Sequence, residues 1–185
     1  MRIIATYFNG VRLIAPDTYM DARGAFFETY NEREFFSLGI RSRFVQDNHS
    51  RSRRGTIRGL HYQLTHPQAK LCRVVAGEVQ DVVVDIRLGS PSFGRSVSIA
   101  LSADDPNLLF VPSGFAHGYC AVSEVAEFLY KVDDFYDSDD EFGVIWNDPD
   151  LHIEWRVADP VLSDRDRALP RLCEISLAKL PRWPG

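Results

Sequence analysis

The chain has 185 residues, 45% hydrophobic and 25% charged, with a net charge of −5. That length and balance fit one domain with a real hydrophobic core, and the acidic surplus excludes a global electrostatic footprint for nucleic acid. No apolar run reaches the length of a membrane span, so no membrane partner is expected, and Met1 to Thr6 lacks a signal-peptide core. Cys72, Cys120 and Cys173 are widely spaced and odd in number, which reads as free thiols in a reducing cytoplasm.

Residues 31–39 predict a short helix, with Asn31 as its cap, Glu34 at the capping-box position and Gly39 at its end. From about 44 to 132 the pattern is strand, turn, strand. The basic run Arg51 to Arg54 reads by default as a solvent-facing loop. Leu71 to Val75 and Val79 to Ile86 flank Ala76-Gly77-Glu78, which reads as a hairpin. Val97, Ile99 and Leu101 alternate with Ser96, Ser98 and Ala100, as in a half-buried strand. Leu108 to Val111 and Glu127 to Val132 add two more. In the last of these Tyr130 alternates with Phe128 and Val132, so it points inward, with Glu127 and Lys131 on the other face. On its own it is a core tyrosine with a satisfied hydroxyl.

The acidic run Asp137 to Glu141 reads as a solvated loop, and Asp166 by itself as a solvated helix charge. Residues 160–180 look more helical and are expected to pack outside the strands. Turn signals recur at Gly89-Ser90-Pro91, Asp105-Pro106-Asn107 and Pro112-Ser113-Gly114. Many short strands with frequent turns predict a mainly β fold, a sandwich or jelly roll with short peripheral helices. The whole chain, 1–185, is expected to be a single domain, with its barrel core at about 44–157 and a helical tail at about 160–180.

Pro112-x-Gly114-x-x-His117 fits the second half of a cupin barrel signature. The first half of that signature supplies His-x-His and a glutamate to a metal. Here it reads His61-Tyr62-Gln63, with His66 five residues on, so no metal is expected. Strict alternation puts Ile57, Gly59 and His61 on one face and Arg58 on the other. Arg58 and His61 share the barrel mouth only if Gly59 permits a bulge or twist. A histidine base, a second proton carrier and several cations suit proton transfer at a carbon beside a carbonyl, on a phosphate-bearing substrate.

The motifs Asp21-Ala22-Arg23-Gly24-Ala25-Phe26-Phe27-Glu28, Phe44-Val45-Gln46-Asp47-Asn48-His49-Ser50 and Arg58-Gly59-Leu60-His61-Tyr62-Gln63 open an ordered series. Gln68-Ala69-Lys70-Leu71, Gly114-Phe115-Ala116-His117-Gly118, Phe128-Leu129-Tyr130-Lys131 and Trp146-Asn147-Asp148-Pro149 continue it. Through these the chain resembles the dTDP-4-dehydrorhamnose 3,5-epimerase family, cupin-fold enzymes of deoxysugar synthesis. The resemblance runs from about Asp21 to Asp166. Ala69 departs from a common glycine, and Thr56-Ile57 from the usual aliphatic pair.

The resemblance implies a cupin-type jelly roll and epimerisation of dTDP-4-keto-6-deoxy-D-glucose at C3 and C5, toward dTDP-L-rhamnose. It implies that His61 is the general base, Asp166 the carboxylate that orients it, Tyr130 the acid on the other face of the sugar, and Lys70 the cation at the enolate oxygen. Arg23, Arg58 and His117 are implied as phosphate or sugar contacts and Phe26 as a thymine-stacking residue. Glu28, Gln46, Asn48, Tyr136 and Glu141 are implied as further contacts. A homodimer is implied too, with Arg23, Phe26 and Glu28 reaching into the neighbouring subunit's site. No cofactor is expected, since no net oxidation occurs. The alternatives are an epimerase that inverts C3 or C5 alone, a silent sugar-nucleotide-binding cupin, and a metal-dependent cupin oxygenase, which the missing His-x-His disfavours.

Overall fold

Apolar–polar alternation and closely spaced turns fold this chain into two facing antiparallel sheets. The computed structural model describes residues 1–185. The first strands are β1 (Arg2–Tyr7), β2 (Val11–Ala15) and the pair β3 (Thr18–Asp21) and β4 (Gly24–Phe27). A short helix, α1 (Glu32–Ser37), follows, with the Asn31 side chain accepting from the Arg33 N–H at 3.0 Å. Then come β5 (Gln46–Arg53), β6 (Ile57–Gln63), β7 (Lys70–Ala76), β8 (Glu78–Asp85) and β9 (Ser96–Ser102). The chain continues through β10 (Leu108–Val111), β11 (Phe115–Ala121), β12 (Val125–Val132), β13 (Glu141–Gly143) and the single-turn helix α2 (Asp164–Arg167). None of its helices is long and apolar enough to cross a membrane.

One sheet has six strands in the order β1-β2-β10-β7-β12-β5, and the other has five in the order β13-β6-β11-β8-β9. Their inner faces meet over a core that includes Cys72, Val74, Val83, Phe115, Tyr119 and Phe128. Burying one such large side chain stabilises the fold by roughly 1.5–3 kcal/mol. The outer face of the six-stranded sheet is covered by α1 and the turn after it, through Phe35 and Ile40. The outer face of the five-stranded sheet is covered by the C-terminal segment through Leu151, Leu172 and Leu180. Strand β8 is buried on both faces, with Val79 and Val83 turned to the inner core and Val82 and Val84 to the outer one. This jelly-roll sandwich matches the predicted fold class, and β1 and β2 extend its sheet N-terminal to residue 44.

Three local expectations need correction. The segments flanking Gly77 are not a hairpin: β7 belongs to the six-stranded sheet and β8 to the five-stranded one. Gly77, at φ 74°, turns a corner so tight that a Cβ would lie 2.2 Å from Ser123 Oγ and the Val125 carbonyl oxygen. Arg51 and Arg53 belong to strand β5, whose pairing with β12 sets Arg51 beside Glu127. The tail after residue 160 holds only α2 and two 3₁₀ turns, Leu172–Glu174 and Leu177–Lys179. Pro160, Pro170 and Pro181 interrupt any longer helix there.

Candidate active site

A cavity of about 610 Å³ opens between the sheets, within the range of small-molecule sites. Strands β6, β11 and β13 of the five-stranded sheet contribute Arg58, His61, His117 and Glu141 to its lining. Strands β7, β12 and β5 of the six-stranded sheet contribute Lys70, Tyr130, Asn48 and Gln46. Sequence reasoning named all of these residues.

Arg58 and His61 both reach this cavity because β6 breaks its alternation. His61 pairs with His117, but Arg58 pairs with Tyr119, a register shift of one residue. Gly59 sits at the shift with φ 129°, and a Cβ there would fall 2.6 Å from Gly118 Cα. Only glycine fits such a close backbone approach in that conformation.

His61 Nε2 donates to Asp166 Oδ1 at 2.7 Å. That bond fixes the tautomer and leaves Nδ1 with the free lone pair. Nδ1 lies 3.7 Å from Glu141 Oε1. Asp166 is no solvated charge: it is 5% exposed, in the first turn of α2, with its N–H bonded to Ser163 Oγ at 3.0 Å. Backbone bonds from Ile57 N to Val161 O and from Val161 N to Gly55 O strap this segment beside β6. Burial pushes the Asp166 pKa up, but the hydrogen bond and charge of His61, with hydrogen bonds from Ser163 and the Gly59 backbone, outweigh it and hold the carboxyl below its usual range.

Glu141 is also drawn out of the expected solvated loop. Arg165 forms an ion pair with it, and Tyr136 Oη donates to its Oε2 at 3.0 Å. Asp140 beside it is buried and accepts the Thr65 and His66 N–H groups at 2.7–2.9 Å. His66 faces Asp134 instead of His61.

On the opposite wall, burial lowers the pKa of Lys70 and pushes the Tyr130 phenol up to about 12. Tyr130 is therefore a protonated donor at neutral pH. Its ring packs on Phe128, 6.0 Å between centroids. Gln46 Nε2 donates to Asn48 Oδ1 at 2.9 Å, and Gln46 Oε1 accepts the Tyr136 N–H.

His117 is 7% exposed, and its Nε2 lies 2.8 Å from Asp81 Oδ1 and 4.0 Å from Cys72 Sγ. Asp81 Oδ2 has no partner. Cys72, Asp81 and His117 are the group whose ligand atoms converge within 4.8 Å. Burial pushes the Cys72 thiol well above its ordinary pKa. Asp81 went unnoticed in the sequence, although a carboxylate inside the apolar run Val79 to Val84 was its signal.

Arg23, Phe26 and Glu28 lie outside the cavity. Arg23 folds back onto Asp21 at 2.5 Å, Glu28 accepts from Asn31, and Phe26 is 70% exposed on the β3–β4 hairpin. Tyr19 and Met20 are exposed beside it.

A family model described as dTDP-4-dehydrorhamnose 3,5-epimerase matches residues 5–174. The Pseudomonas aeruginosa protein of that description is 52% identical over 159 residues, covering 85% of this chain and 88% of its own. The crystal structure of the Legionella pneumophila 3,5-epimerase in complex with dTDP-4-keto-L-rhamnose superposes with a TM-score of 0.96 at 44% identity, covering 100% of this chain and 99% of the other. A 3′-monoepimerase from Streptomyces bikiniensis, in complex with dTDP-quinovose, superposes with a TM-score of 0.87 at 32% identity, covering 94% and 89%. The chain belongs to the dTDP-4-dehydrorhamnose 3,5-epimerase family.

Proposed function

We propose that this protein epimerises dTDP-4-keto-6-deoxy-D-glucose at C3 and C5, and that the cavity between the sheets is its active site. The observation that carries this reading is the placement of His61 and Tyr130 on facing sheets across one cavity. Inversion beside a ketone needs a base on one face of the ring and an acid on the other. The C4 ketone acidifies the hydrogens at C3 and C5. His61 Nδ1 removes one of them, and the electron pair of that C–H bond moves onto O4 as an enolate. The Asp166 carboxylate stabilises the resulting imidazolium. The Lys70 cation lies against O4 and stabilises charge that develops only in the intermediate and its flanking transition states. Tyr130 then gives its phenolic proton to the opposite face of the carbon, which inverts the centre. The phenolate regains a proton from solvent, and the His61 imidazolium loses the abstracted proton to solvent.

Arg58 and His117 meet the diphosphate and sugar, while Gln46, Asn48, Tyr136 and Glu141 border the nucleotide and ring. Arg23, Phe26 and Glu28 serve the site of a second copy, with the exposed β3–β4 hairpin as the exchanged arm, so the working unit is a homodimer. Free Cys72, Cys120 and Cys173 fit a reducing cytoplasm. The deciding experiment is proton NMR of the keto-sugar nucleotide with enzyme in D₂O, followed by trapping with a 4-ketoreductase. Deuterium at both C3 and C5, with an L-rhamnose product, is expected. Exchange at one carbon alone would replace this reading with single-centre epimerisation.

A further inference from the structure

An unbroken run of hydrogen bonds crosses from one sheet to the other beside the cavity. Arg58 Nε donates to Ser52 Oγ at 3.2 Å. Ser52 Oγ is 3.0 Å from Tyr119 Oη, which is 2.8 Å from Ser50 Oγ. Ser50 Oγ in turn donates to the Phe128 carbonyl at 3.3 Å. The two ends fix the direction, because a guanidinium can only donate and a carbonyl can only accept. Each hydroxyl has one hydrogen to give. The hydrogens therefore run from Arg58 to Ser52, to Tyr119, to Ser50, to Phe128.

Tyr119 is the centre of this run. It is 4% exposed, as is Ser52, and its ring stacks on Phe128 with centroids 4.4 Å apart. Arg58 and Tyr119 belong to the five-stranded sheet, and Ser50, Ser52 and Phe128 to the six-stranded one. The run anchors only Nε of Arg58, and no carboxylate forms an ion pair with its guanidinium. Its terminal amino groups remain for an anion, and fixing Nε fixes the plane in which they lie.

We propose that Tyr119 is a positioning residue for anion recognition: its hydroxyl orients Ser52, which holds the Arg58 guanidinium in the plane that meets the substrate diphosphate. The proposal rests on the nucleotide-sugar reading above and deepens it. A buried tyrosine whose hydroxyl served packing alone would affect stability without regard to the ligand. One that aims Arg58 affects the diphosphate selectively.

The test is titration calorimetry with dTDP and with thymidine on the wild-type protein, Tyr119→Phe, Ser52→Ala and the double variant. Steady-state kinetics and thermal melts accompany it. Tyr119→Phe keeps the stacked ring and removes only the hydroxyl. Its Kd for dTDP is expected to rise roughly tenfold, the scale of one hydrogen bond. KM should rise in parallel, with kcat within about twofold and thymidine binding unmoved. The double variant should be no worse than the worse single one, since both break the same run. If Tyr119→Phe fails to fold, Ser52→Ala reads the same link. A folded variant with wild-type dTDP affinity overturns the proposal, as does an equal loss for dTDP and thymidine. Wild-type protein that does not bind dTDP sinks the nucleotide-sugar reading and this proposal with it.

Discussion

On the five-stranded sheet both cavity histidines are bonded to carboxylates, His61 to Asp166 and His117 to Asp81, while Glu141 is tied to Arg165 and Tyr136. On the six-stranded sheet Lys70 and Tyr130 are tuned by burial and nearby charge, with no hydrogen bond contributing to either shift. The difference suits the roles proposed for them. A base must hold one tautomer and one orientation, which a fixed partner supplies. A proton donor and an enolate-stabilising cation need free hydrogens pointed at substrate, so a protein partner would compete with the reaction. Desolvation strengthens their electrostatics without occupying them.

Breaking the paired wall gives the largest expected effect. His61→Asn should lower kcat by roughly 10²–10⁴-fold and abolish deuterium uptake at both carbons. Asp166→Asn should cost less, since the base remains but its amide partner no longer selects the right tautomer. Solvent exchange measured by NMR checks both, and full exchange in His61→Asn would remove the base from this wall. On the other wall, Lys70→Met should lower kcat by roughly 10²–10³-fold through loss of enolate stabilisation, with a smaller change in dTDP affinity.

Tyr130→Phe sharpens the comparison further, because it separates two steps that His61→Asn merges. The base and the lysine remain, so proton abstraction and return on the same face should continue. Deuterium should still enter the sugar while inversion falls by roughly 10²-fold. Chiral analysis of the trapped product would read this directly. Unchanged inversion would show that the acid is another group.

Much of this contrast was legible in the sequence, and its limits are physical. Alternation in β12 aimed Tyr130 inward, while the role of base proposed for His61 came from its neighbours and the family resemblance, not from its strand. Pattern alone made Asp166 a solvated charge, because the contact with His61 spans 105 residues and depends on how the C-terminal segment straps onto β6. Pattern alone likewise left Glu141 inside a run of acids that looked uniformly exposed, and only the family resemblance singled it out. Gly77 looked like a hairpin turn because a corner between sheets uses the same glycine conformation as a turn within one. Tyr119 gave a signal that went unread, two residues after His117 in a wholly buried strand. A tyrosine there needs a hydroxyl partner.

The mildest perturbation is pH, and it acts on the two walls from opposite ends of the scale. Asp166 has a folded-state pKa below its ordinary 3.8, so its contribution to stability is present above that value. It is lost as pH falls through the depressed folded-state pKa. Tyr130 has the opposite sign: its phenol is raised from 10.0 to about 12, so its contribution is full below pH 10 and lost as pH rises through 12. Lys70 is lowered from 10.5, so its charge is lost at a lower pH than an ordinary lysine's. The alkaline fall in kcat should therefore belong to Lys70 and begin below pH 10.5, while Tyr130 is still protonated. Lys70→Arg keeps a cation that does not deprotonate in this range and should move that limb upward, at some loss of rate from misplaced charge. A limb that stays in place in Lys70→Arg would assign it to a group other than Lys70, with Tyr130 on the same wall the next to test.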